Sequence, residues 1–250
     1  MSTGLRFESV TRRFGKLDAL TNFGLQCPSG SMTCLVGPNG AGKSTALALA
    51  AGLLPPTSGQ ITVSGATVEL ATPSESTGYL PQRSSFHALL TAGEVLDLAC
   101  AIRSVGARAR RQVLEVTGLR EVLDQPVGNL SGGWLRRLGL LSCLVGSPQL
   151  LLLDEPFVGL DPETHERLVN HLEDRLESGA TVLVASHDFE VLDRFNPHTV
   201  VLVEGRLQYI EAPGNHDSNS SDTRDHQTSR SIYLEALSGN HASSFGKVER

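Results

Sequence analysis

One stretch limits what this chain can fold into: Gly37-Pro38-Asn39-Gly40-Ala41-Gly42-Lys43-Ser44-Thr45. It fits G-x-x-x-x-G-K-[ST], in which the backbone N–H groups of a glycine-rich loop cradle phosphates. Such a loop needs a strand before it and a helix after it, and both are legible here. Met32-Thr33-Cys34-Leu35-Val36 is a short apolar run that reads as a buried strand. Residues 46–51 are rich in Ala and Leu, strong helix formers. Gly37, Gly40 and Gly42 let the backbone take conformations closed to other residues and approach a polyphosphate closely. The N–H groups then form an anion nest at a helix N-terminus. Lys43 is expected to reach the β- and γ-phosphates, and the Ser44 hydroxyl to ligate Mg²⁺.

Length and charge narrow the setting. The chain of 250 residues fits one domain, or one domain with two lobes. A net charge of −6 gives no global basic footprint for nucleic acid. Cys27, Cys34, Cys100 and Cys143 lack C-x-x-C spacing and read as reduced core thiols, neither a metal site nor a disulfide set. Met1-Ser2-Thr3-Gly4 has no apolar signal region. No stretch approaches the ~20 apolar residues of a membrane helix. Action at a membrane is therefore expected to run through docking to another chain.

The order of elements predicts an α/β body. Residues 5–10 and 23–27 read as strands, with a basic turn over 11–16. Residues 61–63 and 66–70 read as a hairpin around Ser64-Gly65. Residues 94–102, 107–116 and 134–145 have helical composition, which predicts a helical lobe at about 88–146 inserted into the body. Leu150-Leu151-Leu152-Leu153 is fully apolar and fits a central parallel strand. Residues 162–178 read as a helix with Pro162 in its first turn. Residues 181–185 read as another buried strand, and 199–210 as a closing hairpin. One domain is expected over 1–212. Residues 213–250 are expected to form a flexible polar tail, with a short helix at 231–237.

A second set of residues carries chemistry. The apolar strand at 150–153 ends in Asp154-Glu155. Phosphate-loop enzymes place an Asp at such a strand end to hold Mg²⁺, and a neighbouring Glu is placed to deprotonate water. The C-terminal ends of parallel strands are where these sheets bind ligands. Between the two motifs, Leu130-Ser131-Gly132-Gly133 reads as a further helix N-terminus able to bind phosphate.

Together these residues resemble the ATP-binding cassette (ABC) superfamily of ATPases, over about residues 5–210. The motifs stand in the family's order: residues 37–45 as Walker A, Gln82 as the Q-loop, residues 130–133 as the signature, and residues 150–155 as Walker B. Gly159-Leu160-Asp161 matches the D-loop. His187, in Ala185-Ser186-His187-Asp188, matches the switch histidine, and Phe14 the aromatic that stacks on adenine. The resemblance implies a P-loop NTPase core of ABC type. Its central sheet would be mainly parallel, with an N-terminal antiparallel β subdomain and an inserted helical subdomain.

It also implies a head-to-tail homodimer or heterodimer of nucleotide-binding subunits. Each ATP would lie between the Walker A of one subunit and the signature of the other. Gly37, Pro38, Asn39, Gly40, Ala41, Gly42, Lys43, Ser44 and Thr45 would bind ATP in cis. Ser44, Gln82 and Asp154 would hold Mg²⁺, and Glu155 would act as general base beside Lys43 and His187. Ser131, Gly132 and Gly133 would meet the opposite nucleotide, with Asp161 nearby. One departure is Trp134, where the family commonly has Gln; its ring is expected to face the partner's ATP, the alternative being a core position in the helical lobe.

Two roles follow from the resemblance. The first is the ATPase subunit of a transporter, of exporter type. It would lie peripherally on the cytoplasmic face of the membrane and drive a separate integral permease through a groove beside Gln82. The second is a soluble cassette ATPase acting on nucleic acid or ribosomes. The single cassette and the short gap from Gly42 to Gln82 favour the first. Arg103, Arg108, Arg110 and Arg111 read as a solvated helical face or a contact for an acidic partner, and no direct nucleic-acid contact is expected.

Overall fold

The structure is a computed structural model, and it describes residues 3–70, 76–213 and 229–238. Two sheets organise it. The first is antiparallel: β1 (Thr3–Phe14), β2 (Leu17–Pro28), β4 (Ser58–Val63) and β5 (Ala66–Thr67), in the order β2-β1-β4-β5. The second contains β3 (Met32–Val36), β6 (Thr77–Leu80), β7 (Leu150–Asp154), β8 (Thr181–Ala185), β9 (His198–Val203) and β10 (Arg206–Glu211), in the order β10-β9-β3-β8-β7-β6. Its strands run parallel except β10, which returns antiparallel to β9. β3, β7 and β8 are buried at every residue. That is why their sequences are continuous apolar runs rather than alternating ones.

The period-2 geometry of these strands divides the core into two layers. Leu35, Leu152 and Leu183 point to the side that holds α1 (Lys43–Ala50) and the antiparallel sheet, where they join Leu5, Phe7 and Phe23. Phe7 and Phe23 meet edge to face at 5.1 Å, a favoured arrangement for aromatic pairs. Cys34, Leu151, Leu153 and Val184 point to the other side, onto the helices. These include α2 (Ala92–Ile102), α3 (Ala107–Thr117), α4 (Gly132–Leu144) and α5 (Pro162–Glu177). Thr91 and Glu94 form a reciprocal capping box that fixes the start of α2. Pro162 opens α5 behind the Asp161 cap.

Two expectations change. The stretch read as a basic turn at 11–16 continues β1 as far as Phe14, and the chain reverses at Gly15-Lys16. Arg12 and Arg13 extend the strand because their side chains find partners there: Arg12 donates to the Pro55 carbonyl and Arg13 pairs with Asp18. The second change lies in the stretch read as a tail. The short helix expected at 231–237 is present as α7 (Ser229–Ser238), but it docks on the body, packing on β9 and on α6 (Phe189–Arg194). Ile232 is buried, and Tyr233 stacks on Phe189 with centroids 5.8 Å apart. The Ser229 N–H donates to Asp193 at 2.9 Å, and its hydroxyl lies 3.1 Å from that of Thr199. These few apolar and capping groups hold the helix although the surrounding sequence is polar. The rest of the expected tail, 214–228 and 239–250, lies outside the described residues.

Candidate functional site

The loop between β3 and α1 opens onto a cleft of about 820 Å³. Phe14, Asn39, Gly40, Ala41, Gly42, Lys43, Ser44, Thr45, Gln82, Asp154 and Glu155 all line it. Gly37 and Gly42 are required by geometry. A Cβ on Gly37 would collide with the Leu202 carbonyl oxygen, and one on Gly42 would come within 2.5 Å of the Ala19 carbonyl oxygen. Gly42 also takes φ 107, a left-handed value that favours glycine, where it caps α1. The loop can therefore close tightly on the sheet.

Lys43 is buried, and its ammonium donates to the carbonyls of Gly37 at 2.6 Å and Pro38 at 3.2 Å. Burial lowers its pKa, while Glu155 and Asp154 act in the other direction. The Lys43 Nζ lies 3.5 Å from His187 Nε2. His187 Nε2 in turn lies 3.7 Å from a Glu155 carboxylate oxygen, and its backbone N–H donates to Glu155 at 3.4 Å. Lys43, Glu155 and His187, far apart in sequence, thus form one contact set at the end of the cleft. Glu155 holds φ at 50°, a left-handed value uncommon for a side-chain-bearing residue. Its N–H is fixed by the Ala185 carbonyl at 2.7 Å.

Asp154 ends β7 and is buried. Burial pushes its carboxyl pKa up, while the Ser44 hydroxyl, the charges of Arg136 and Lys43, and the Gln82 N–H act to lower it. A buried carboxylate beside a hydroxyl, with Gln82 alongside, is an all-oxygen donor set that suits a hard cation such as Mg²⁺. Among the described residues no group of three or more His, Cys, Asp and Glu could hold a metal. Few protein ligands is the pattern of an ion that keeps waters and shares substrate phosphates. Phe14 is 42 % exposed at the mouth of the cleft, with the Arg12 guanidinium 4.4 Å over its ring. An exposed aromatic face there can stack on a flat ligand group.

The remaining candidates lie elsewhere. Ser131 and Gly132 are exposed and Gly133 is half-buried at the N-terminus of α4, where the Ser131 hydroxyl accepts from the Trp134 N–H at 3.5 Å. Asp161 caps α5 through the Thr164 N–H at 3.1 Å and pairs with Arg137. Burial acts to raise its carboxyl pKa, but the Thr164 hydroxyl, backbone N–H groups and Arg137 bring it down to about 2. The Trp134 ring is half-buried. It packs partly against the core, under the Arg137 guanidinium at 4.4 Å, in a groove it shares with Asp161.

Several residues of the site escaped the sequence reading. Asp18 and Glu204 also line the cleft. Arg136 donates to four backbone carbonyls behind it. The sequence carried no signal for Arg136, because its partners are backbone carbonyls.

Comparison with known proteins agrees with this geometry. The family model described as ABC transporter matches residues 20–158. The linearmycin resistance ATP-binding protein LnrL of Bacillus subtilis is 31% identical over 209 residues, covering 81% of this chain and 67% of its own. The Nod factor export ATP-binding protein I of Sinorhizobium fredii is 35% identical, with 81% of this chain and 61% of its own covered. The probable multidrug ABC transporter ATP-binding protein YbhF of Escherichia coli is also 35% identical, but the match covers 84% of this chain and 37% of YbhF. Among solved structures, a dimeric ATP-binding cassette in a post-hydrolysis state with ADP and Pi superposes at a TM-score of 0.75 with 25% identity. That match covers 84% of this chain and 99% of the cassette. An ATP-binding subunit of an ABC transporter superposes at 0.82 with 24% identity, covering 94% and 100%, which speaks to the fold. With the phosphate loop, the acidic strand end and the helical lobe arranged as described, the chain belongs to the ABC transporter family, as an ATP-binding and ATP-hydrolysing subunit.

Proposed function

We propose that the chain works as a head-to-tail dimer around two ATP and drives a separate membrane permease in the direction of export. The observation that carries the proposal is the contact of Lys43, Glu155 and His187 beside the Asp154–Ser44 pair. Lys43 leaves the carbonyls of its own loop for the β- and γ-phosphates. Glu155 takes the proton of the attacking water as the water oxygen bonds to the γ-phosphorus and the bond to the β-phosphate breaks. His187, between the two, holds a γ-phosphate oxygen. Asp154 and Ser44, with Gln82, would hold Mg²⁺, which when bound neutralises charge on the β- and γ-phosphate oxygens.

Ser131, Gly132 and Gly133 lie outside the cleft at an exposed helix N-terminus, which supports a role on the γ-phosphate of a second subunit. Among the described residues no helix is long and apolar enough to cross a membrane; the membrane path belongs to the permease in this reading. Leu98 and Ile102 on α2, with Leu89 just before it, are exposed apolar side chains that suit a docked permease helix. Export is supported by the names of the relatives, which speak of resistance, multidrug transport and Nod factor export. The test is to isolate the tagged full chain from its own membranes. Copurification of a polytopic membrane protein, lost on Leu98→Asp/Ile102→Asp, is expected; recovery of nucleic acid or ribosomes instead would overturn the reading.

A further inference from the structure

Arg136 stands on the second turn of α4, the helix that begins with the Ser131 cap. Its guanidinium reaches back into the body rather than out to solvent. One Nη donates to the carbonyls of Pro81 at 2.7 Å and Gln82 at 3.1 Å. The other donates to the carbonyls of Asp154 and Glu155. One planar group therefore bridges the two segments that carry Gln82, Asp154 and Glu155. These segments also face each other, since the Gln82 N–H acts to lower the Asp154 carboxyl pKa.

The arrangement is costly, which argues for a purpose. Burial lowers the Arg136 pKa, with Asp154 and Glu155 acting against that. Its Nε is buried with no hydrogen-bond partner, and an unpaired buried donor destabilises a fold. An apolar side chain would fill the space without that penalty. What it could not do is hold four carbonyls in a fixed fork, which is the particular ability of a guanidinium.

We propose that Arg136 is a positioning residue that ties the signature helix to the backbone of the water-activating site. Contact of Ser131-Gly132-Gly133 with the partner's ATP then sets the placement of Gln82, Asp154 and Glu155 toward this subunit's own ATP. The two sites of the dimer are coupled through α4. This inference rests on the dimeric ATPase reading above.

The test uses the full chain as wild type, Arg136→Met and Arg136→Lys. ATP affinity, kcat, KM, the Hill coefficient for ATP and thermal stability are measured for each. Arg136→Met is expected to keep ATP affinity but lose about 10–10²-fold in kcat, the usual effect of a catalytic group displaced by about 1 Å. Its Hill coefficient should fall toward that of independent sites. Arg136→Lys keeps a cationic donor but not the fork, and should recover only part of kcat at unchanged ATP affinity. If Arg136→Met does not fold, Arg136→Lys decides alone. Reduced kcat and a lowered Hill coefficient at unchanged affinity support the proposal, and a wild-type rate and cooperativity overturn it. Wild-type kcat and cooperativity in a folded Arg136→Met overturn it as well. A wild-type chain that turns over no ATP would sink the ATPase reading and this inference together, so the two failures are distinguishable.

Discussion

Glu155, the proposed general base, also carries backbone strain. Its left-handed φ of 50° is of a kind that costs of order 1–3 kcal/mol and persists only where the surroundings enforce it. Here the Ala185 carbonyl holds its N–H, and the turn aims the carboxylate at His187. Glu155→Gln keeps that backbone and removes only the base. It should bind ATP normally, lose roughly 10²–10⁴-fold in hydrolysis, and accumulate an ATP-bound dimer on size exclusion. Glu155→Gly removes the base and the strain together. It should be equally slow yet more stable, by about 1 kcal/mol in denaturant unfolding. Equal or lower stability would mean that the turn is not strained. Lys43→Ala acts at the other side of the contact set. It deletes the main charge opposite the phosphates and should abolish ATP binding, read by titration with a fluorescent ATP analogue. Arg136 and Glu155 also mark the limit of sequence reading at this scale. The place of Glu155 at the end of β7 was legible from the apolar strand ahead of it. The four carbonyls that Arg136 holds leave no trace in any side chain.

At the scale of elements, the strands and helices with a strong apolar signature were the legible ones. β3 and β8 fall where continuous apolar runs predict them, because a strand covered on both faces has no polar residues to blur its limits. β1 and β2 run longer than their apolar centres, since exposed positions such as Arg6, Glu8 and Arg13 alternate with buried Leu5, Phe7 and Val10. Their pairing with β4 and with each other, rather than their own hydrophobicity, sets their ends. For α7 the helix itself was legible at 231–237, but its docking on the body was not. Its partners Asp193, Thr199 and Phe189 lie about 30 or more residues upstream, across a polar stretch. The helix it grips, α6, starts two residues after His187. Removing α7 therefore does more than trim a tail. Burial of Ile232 alone is worth about 1.5–3 kcal/mol. Deletion of 214–250 should lower the melting temperature by about 5 °C, at about 2–4 °C per kcal/mol for a chain of this size. Ile232→Ala in the full chain should reproduce most of that loss. An unchanged melting temperature in both would mean that α7 does not dock in solution.

At the scale of the whole molecule, the site is split. Lys43, Asp154, Glu155 and His187 gather at one cleft, while Ser131 to Gly133 lie at an exposed helix start outside it. If the signature serves a partner, the active unit is a two-fold dimer, in which each contact occurs twice with the roles exchanged. Two inactive variants then complement each other. Lys43→Ala is defective at its own cleft but keeps a sound signature. Ser131→Arg keeps a sound cleft but presents a blocked signature. Each variant alone forms dimers with two broken sites. In a mixed dimer both faults fall into one site: the cleft of the Lys43→Ala subunit faces the signature of the Ser131→Arg subunit. The other site combines the intact Lys43 cleft with an intact Ser131 and is whole. Equal mixing puts half of the dimers in the mixed form with one of two sites intact, so activity should recover to at most about a quarter of wild type. Cooperativity between the sites would reduce the recovered rate, and Arg136→Met in the subunit that carries the intact cleft should lower it further. Mixing that restores nothing, while the Ser131→Arg chain by itself hydrolyses ATP at the wild-type rate, would place the whole site within one subunit.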